Sequence, residues 1–139
     1  MVTQSYVTLL VWINIFQVIA CEVDVAAPLT AARAAGEPVQ VQNHKTTFVD
    51  GMGGKSVFPE MWSLISNLVD DTITLTVAEI SDAVRMLVER NHVVAEGAGA
   101  APLAAALKTK DLTGNIVCVV SGGNIDASVL STILQGNIP

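Results

Sequence analysis

The run Ile116-Val117-Cys118-Val119-Val120, followed by Ser121-Gly122-Gly123-Asn124, has the make-up of a buried strand opening into a turn that can face a ligand. At the carboxyl end of a strand in an open parallel sheet, glycines let the backbone approach a bound group closely. The helix that follows offers unbonded amides. The same four residues also serve as a plain strand-to-helix connection, and local sequence leaves the two readings equal. Glu96 stands directly before Gly97-Ala98-Gly99-Ala100, where a carboxylate either opposes the helix dipole or accepts a hydrogen bond beside a ligand. Gly51-Met52-Gly53-Gly54-Lys55-Ser56 ends like a phosphate-binding loop, but that pattern needs glycine where Val49 stands, and no convincing apolar strand precedes it. It reads as a glycine turn. Cys21 and Cys118 each lie inside an apolar run and read as free thiols of a reducing compartment. His44 and His92 stand alone, so no metal-ligand spacing is present.

The elements that must position these residues alternate along the chain. Val18 to Val23 reads as a buried strand, Ala26 to Ala35 as a helix closed by Gly36, and Pro38 to Gln42 as a short edge strand. A helix is expected from Pro59 to Val69 and a strand from Ile73 to Thr76. Thr76-Val77-Ala78-Glu79 is a capping box, followed by an apolar face of Val77, Ile80, Val84, Leu87 and Val88 at helical spacing. A small-residue helix runs from Gly97 to Leu107, a strand from Asn115 to Val120, and a last helix from Asp126 to Leu134. Short strands alternating with longer helices predict an α/β fold with an open, mostly parallel sheet covered by helices on both faces.

Composition agrees with buried strands. Of 139 residues, 51% are hydrophobic and 14% charged, against about a quarter charged in an ordinary soluble domain. That much apolar surface excludes a disordered chain. Seven basic residues against thirteen acidic ones, net charge -6, argue against a nucleic-acid partner. Residues 1 to 21 carry no charge until Glu22, yet Asn14 and Gln17 interrupt the apolar run and no basic residue precedes it. A membrane anchor or export signal is therefore not expected, and the chain reads as cytoplasmic.

Taken in order, Val93-Val94-Ala95-Glu96-Gly97-Ala98-Gly99-Ala100, an alanine helix, and Val117-Cys118-Val119-Val120-Ser121-Gly122-Gly123-Asn124-Ile125-Asp126 closely resemble the C-terminal part of the threonine dehydratases. These are fold-type II pyridoxal-phosphate enzymes with the tryptophan synthase β-like large domain, and serine dehydratase and serine racemase are near relatives. Cys21-Glu22-Val23 through Phe48-Val49-Asp50-Gly51 fits the same family's central region. The resemblance covers residues 18–139 and leaves 1–17 as a divergent apolar segment.

The resemblance implies a pyridoxal phosphate cofactor, with Ser121 bonding the pyridine nitrogen, Gly122, Gly123 and Asn124 walling the ring, Gly51 presenting backbone at its edge and Glu96 close to its plane. A neutral hydroxyl at the ring nitrogen makes a weaker electron sink than a carboxylate and suits loss of a β-hydroxyl. Implied too are a threonine or serine substrate converted to a 2-oxo acid and ammonia, a place in amino-acid metabolism such as isoleucine biosynthesis, and a homo-oligomer in the intact enzyme. In serine racemase relatives a divalent ion is held by three positions. Glu22 and Ala26 match two of them, while the third is Pro28, so no metal site is expected. Lys45, Lys55, Lys108 and Lys110 match none of the family's Schiff-base motif, and no glycine-rich phosphate loop is found. The expectation is a truncated dehydratase domain, inactive alone, with a non-catalytic α/β module that binds a ligand or a partner as the alternative.

Overall fold

The computed structural model describes residues 16–42 and 44–139, so the apolar stretch up to residue 15 lies outside the described residues. Strand β1 covers Ile19–Val23. Helix α1, Pro28–Ala35, starts with proline in its first turn and stops at Gly36, whose φ of 78° is the left-handed turn that the sequence anticipates there. A short 3-10 turn at Asp50–Met52 follows, then helix α2 at Pro59–Leu68 and strand β2 at Asp71–Leu75. Helix α3, Val77–Met86, runs on through a wider π turn at Leu87–Asn91 and ends at His92, whose φ is 57°. Helix α4 spans Gly97–Lys108 and helix α5 Ala127–Leu134.

β1 and β2 pair in parallel, with Ile19 opposite Asp71 and Val23 opposite Leu75. Side chains alternate between the two faces of such a pair. Glu22 and Thr72 point to α1, where Thr72 meets Thr30, while Cys21 and Ile73 share a cleft with Pro102 and Ala105 of α4. Helices therefore cover both faces of an open parallel sheet, and the fold is the α/β class expected from the alternation of elements.

The main core joins Val23 and Leu75 to Ile80, Ala83 and Val84 of α3 and to Ala100, Ala101, Ala104 and Ala105 of α4. The alanines of α4 let it lie close to α3 and the sheet without large side chains between them. A smaller cluster of Leu29, Ala32 and Val57 fills the space under α1, with Trp62 and Ile65 of α2 packed against it.

Two expected strands differ. Pro38 to Gln42 forms no strand, and the Val41 amide donates to the Lys55 carbonyl at 2.8 Å. Alternating Val and Gln after a proline gives a strand-like pattern, but without a neighbouring strand it stays a loop. Residues 115–120 form no strand and pair with none among the described residues. Their side chains stand largely in solvent, with Val117 81% and Val119 66% exposed.

The capping box is complete. Thr76 accepts from the Glu79 amide at 3.2 Å, and Glu79 accepts from the Thr76 amide at 2.7 Å. Partial burial raises the Glu79 pKa, but the Thr76 amide and hydroxyl and the nearby Lys108 outweigh it and hold the carboxyl below its ordinary 4.5. A depressed carboxyl contributes stability above its unfolded value and loses it as pH falls through the folded one. Thr76→Ala is expected to cost about 1 kcal/mol at neutral pH. Urea titrations should show that difference shrinking below the ordinary carboxylate pKa.

Candidate functional site

Residue 96 ends the link from the π turn and is the cap position of α4, with extended backbone at φ -74° and ψ 170°. Its amide donates to the Gly122 carbonyl at 3.0 Å, and its carboxylate oxygen Oε2 accepts from the Asn124 amide at 3.1 Å. The Glu96 side chain thus binds the loop 121–124 to the start of α4 instead of capping its own helix.

The glycines around it are pressed against their neighbours. A Cβ at Gly122 would lie 2.5 Å from Glu96 Oε1, and one at Gly51 would lie 3.2 Å from the same atom and 3.0 Å from the Ala98 Cβ. A Cβ at Gly99 would stand 2.6 Å from the Gly122 carbonyl oxygen, and one at Gly123 2.8 Å from the Val94 oxygen. At Gly122, Gly99 and Gly123 the approach is closer than real carbons make and at Gly51 it is tight, so the loop and α4 can meet only because these positions lack side chains.

Of the residues singled out in the sequence, Gly51, Glu96, Gly122 and Asn124 come together, and Gly123 packs on Val94. Ser121 stands exposed at the end of the extended segment. Beside them is a cleft of about 140 Å³ lined by Phe48, Asp50, Glu96, Asn124, Ile125 and Asp126, with Val129. Asp50 and Asp126 went unnoticed as neighbours of Glu96. Their only sequence signal is that each follows or precedes an apolar residue at an element boundary, which does not reveal a contact between segments far apart in the chain.

The turn 51–56 is no phosphate cradle. It begins as the 3-10 turn packed on Ala98 and Glu96, and His44 Nε2 lies 2.8 Å from the Gly53 carbonyl. Glu22 is committed elsewhere. Its Oε1 accepts from the Leu29 amide at 2.7 Å, and its Oε2 accepts from the Thr30 amide at 2.8 Å and the Thr30 hydroxyl at 2.6 Å. Ala26 is fully buried in the core. Among the described residues no group of three His, Cys, Asp or Glu side chains is arranged for a metal ion.

Lys108 reaches away from the cleft, donating to the Thr74 carbonyl at 2.9 Å and to Glu79 at 3.2 Å. Lys45 lines a separate hollow with His44, Thr47 and Gly53. Cys21 and Cys118 are free and part-buried, and burial pushes both thiols above their ordinary 9.0, with Cys118 adding to the rise at Cys21. No helix among the described residues is long and apolar enough to cross a membrane.

The family described as pyridoxal-phosphate dependent enzyme matches residues 8–122. The chain is 41% identical over 91 residues to an L-threonine ammonia-lyase of Geobacter sulfurreducens, covering 64% of this chain and 23% of that one. It is 34% identical over 120 residues to the L-threonine ammonia-lyase of Thermotoga maritima, covering 86% and 30%. Maize serine racemase superposes with a TM-score of 0.74 at 29% identity, over 86% of this chain and 39% of that one. The processed threonine deaminase isoform 2 of Solanum lycopersicum gives 0.75 at 27%, over 86% and 36%. The chain spans 23% and 30% of the length of the two curated relatives.

Proposed function

Because the chain belongs to the pyridoxal-phosphate dependent enzyme family, we propose that it is part of an ammonia-lyase that removes the β-hydroxyl of threonine or serine, releasing a 2-oxo acid and ammonia. The observation that carries this reading is the meeting of Gly51, Glu96, Gly122 and Asn124 around one carboxylate, in a chain similar to threonine ammonia-lyases.

The residues present fit one edge of the cofactor ring and not its covalent anchor. Gly51 and Gly122 give the Glu96 carboxylate room to sit between the two loops, and Ser121 is exposed beside them. The cleft next to Glu96 holds Asp50 and Asp126 and, among its lining residues, no lysine or arginine, so it suits neither a phosphate dianion nor a covalent bond to the cofactor. Bound pyridoxal phosphate would supply the electron sink for elimination at the β carbon. Ser121 would donate to the ring nitrogen, Gly122, Gly123 and Asn124 would form the wall beside it, and Glu96 would keep that wall in place through the Asn124 amide, from which it accepts at 3.1 Å.

These residues alone carry no step of the reaction, and the chain by itself does not turn over. In the intact enzyme, a cytoplasmic homo-oligomer of amino-acid metabolism, the lysine and the phosphate loop come from polypeptide outside this sequence.

Two measurements test this. Purified chain mixed with pyridoxal phosphate and L-threonine is expected to give no steady release of 2-oxobutanoate, and steady release would overturn the inactivity. Fluorescence titration with pyridoxal phosphate should show weak, reversible binding that Ser121→Ala weakens about five-fold, the worth of one hydrogen bond. Equal affinity for the two forms would remove Ser121 from the site.

A further inference from the structure

Helix α3 does not end as an ordinary α-helix. The Leu87 amide is shared between the Ala83 and Val84 carbonyls, and from there the chain widens into the π turn Leu87–Asn91. The Leu87 carbonyl accepts from the His92 amide, five residues on, and from the Val93 amide at 3.0 Å. An α-helix closes that ring after four residues, so the last turn takes up one residue more than an α-helix needs. His92 then reverses the chain at φ 57° and ψ 34°, a left-handed conformation that suits glycine best and that histidine tolerates better than alanine does. Among the described residues it is the one non-glycine with positive φ, and it is exposed.

Two such departures side by side persist only where neighbouring structure fixes them. Here the neighbour is the link that follows. The Val94 carbonyl oxygen is pressed against Gly123, where a Cβ would lie 2.8 Å from it, and Ala95 is fully buried in the core. The Glu96 amide donates to the Gly122 carbonyl at 3.0 Å, and its Oε2 accepts from the Asn124 amide at 3.1 Å. Rewinding Leu87–Asn91 into α-helix releases one residue into this link. One residue of extended chain is about 3.3 Å, more than either hydrogen bond tolerates.

We infer that the end of α3 and the loop 121–124 are one coupled unit with two states. With the loop seated on Glu96, the π turn and the left-handed His92 are held. With the loop lifted, residues 87–91 wind on as α-helix and the link slides by one residue, with buried Ala95 as the point that must move. A group bound on loop 121–124 is then felt at the exposed end of α3, and anything bound at that end biases the loop in return. That the bound group is a cofactor rests on the function proposed above, whereas the coupling belongs to the free chain and is tested there.

The test follows the full chain, without added ligand, by residue-resolved hydrogen exchange and by the three-bond coupling between the amide and Cα protons of residue 92, which distinguishes positive from helical φ. His92→Ala makes the left-handed turn costlier and should speed exchange of the Asn124 amide about five-fold, while His92→Gly should leave it at the native rate or slower. In the reverse direction, Glu96→Ala should move the coupling of residue 92 to its helical value. Glu96→Gln, which keeps an acceptor oxygen for the Asn124 amide, should hold it at the native value. Exchange at Leu75 and Ile80 should be unchanged throughout, which separates coupling from a general loss of fold. Should Glu96→Ala not fold, the two variants of His92 decide. Equal Asn124 exchange in those two variants, or positive φ retained at residue 92 in Glu96→Ala, would overturn the inference. If both expected changes occur while pyridoxal phosphate leaves the spectrum unmoved, the coupling stands and the cofactor reading falls.

Discussion

Replacing Glu22 by alanine is expected to lower the stability of the chain by about 3 to 5 kcal/mol, which exceeds half of what a marginal domain possesses. Glu22 is 6% exposed and lies on β1, yet both its oxygens point at the first turn of α1. They accept from the Leu29 and Thr30 amides, donors that have no partner inside the helix. The Thr30 hydroxyl donates to the same carboxylate, and the Thr72 hydroxyl lies 2.9 Å from the Thr30 oxygen. One side chain therefore joins β1, α1 and β2. Its removal leaves the Leu29 and Thr30 amides without an acceptor, the first of them buried, and unmet buried donors are costlier than the bonds themselves are worth. Guanidinium denaturation should show a lower midpoint with an unchanged slope. Glu22→Gln, which keeps one acceptor oxygen, should lose less. A loss below 1 kcal/mol for the alanine variant would show that water replaces the carboxylate.

Gly99→Ala is the second large effect. The added carbon would sit 2.6 Å from the Gly122 carbonyl oxygen, a backbone atom that cannot rotate aside as a side chain can. Either α4 moves away from the loop or the loop lifts off α4, and overpacking of this kind costs about 1 to 3 kcal/mol. That carbonyl also receives the Glu96 amide, so the displacement breaks the bond that sets the loop against the helix. Faster exchange of the Glu96 and Asn124 amides, together with a lower melting temperature, is the expected signature. Gly54→Ala is the control, because its added carbon would meet nothing nearer than the Ser56 oxygen at 3.9 Å. If the two variants behave alike, the close approach of loop and helix is not a constraint.

What the sequence disclosed depended on how local each feature is. The capping box at Thr76 and the stop at Gly36 were readable because all their partners lie within a few residues. The β-branched run of residues 115–120 suggested a strand, but pairing is a property of neighbours, and no described strand lies beside it. The same limit explains Pro38 to Gln42, where alternation alone suggested an edge strand. Glu22 shows the reverse. Resemblance matched it to a metal-ligand position that Pro28 leaves incomplete and gave it no other role, while its bonds to residues seven and eight places on make it the acceptor for a helix start. Around Glu96, resemblance supplied what spacing could not, since Gly51 and Gly122 lie far from it along the chain. Asp50 and Asp126 lie inside the resembling segments, but nothing local showed that they border one cleft with Glu96.

The parallel register of β1 and β2 also has a bearing on time. Ile19 lies opposite Asp71, and no hairpin can join strands running the same way. The chain must close a loop of some fifty residues before the first ladder bond forms, against an entropy cost that local contacts do not face. Helices α3 and α4, adjacent in sequence and packed on each other, need no such closure. The capped α3 and its neighbour are thus the part of this molecule that can organise early, and the sheet, with the loop that depends on it, is the part that arrives last.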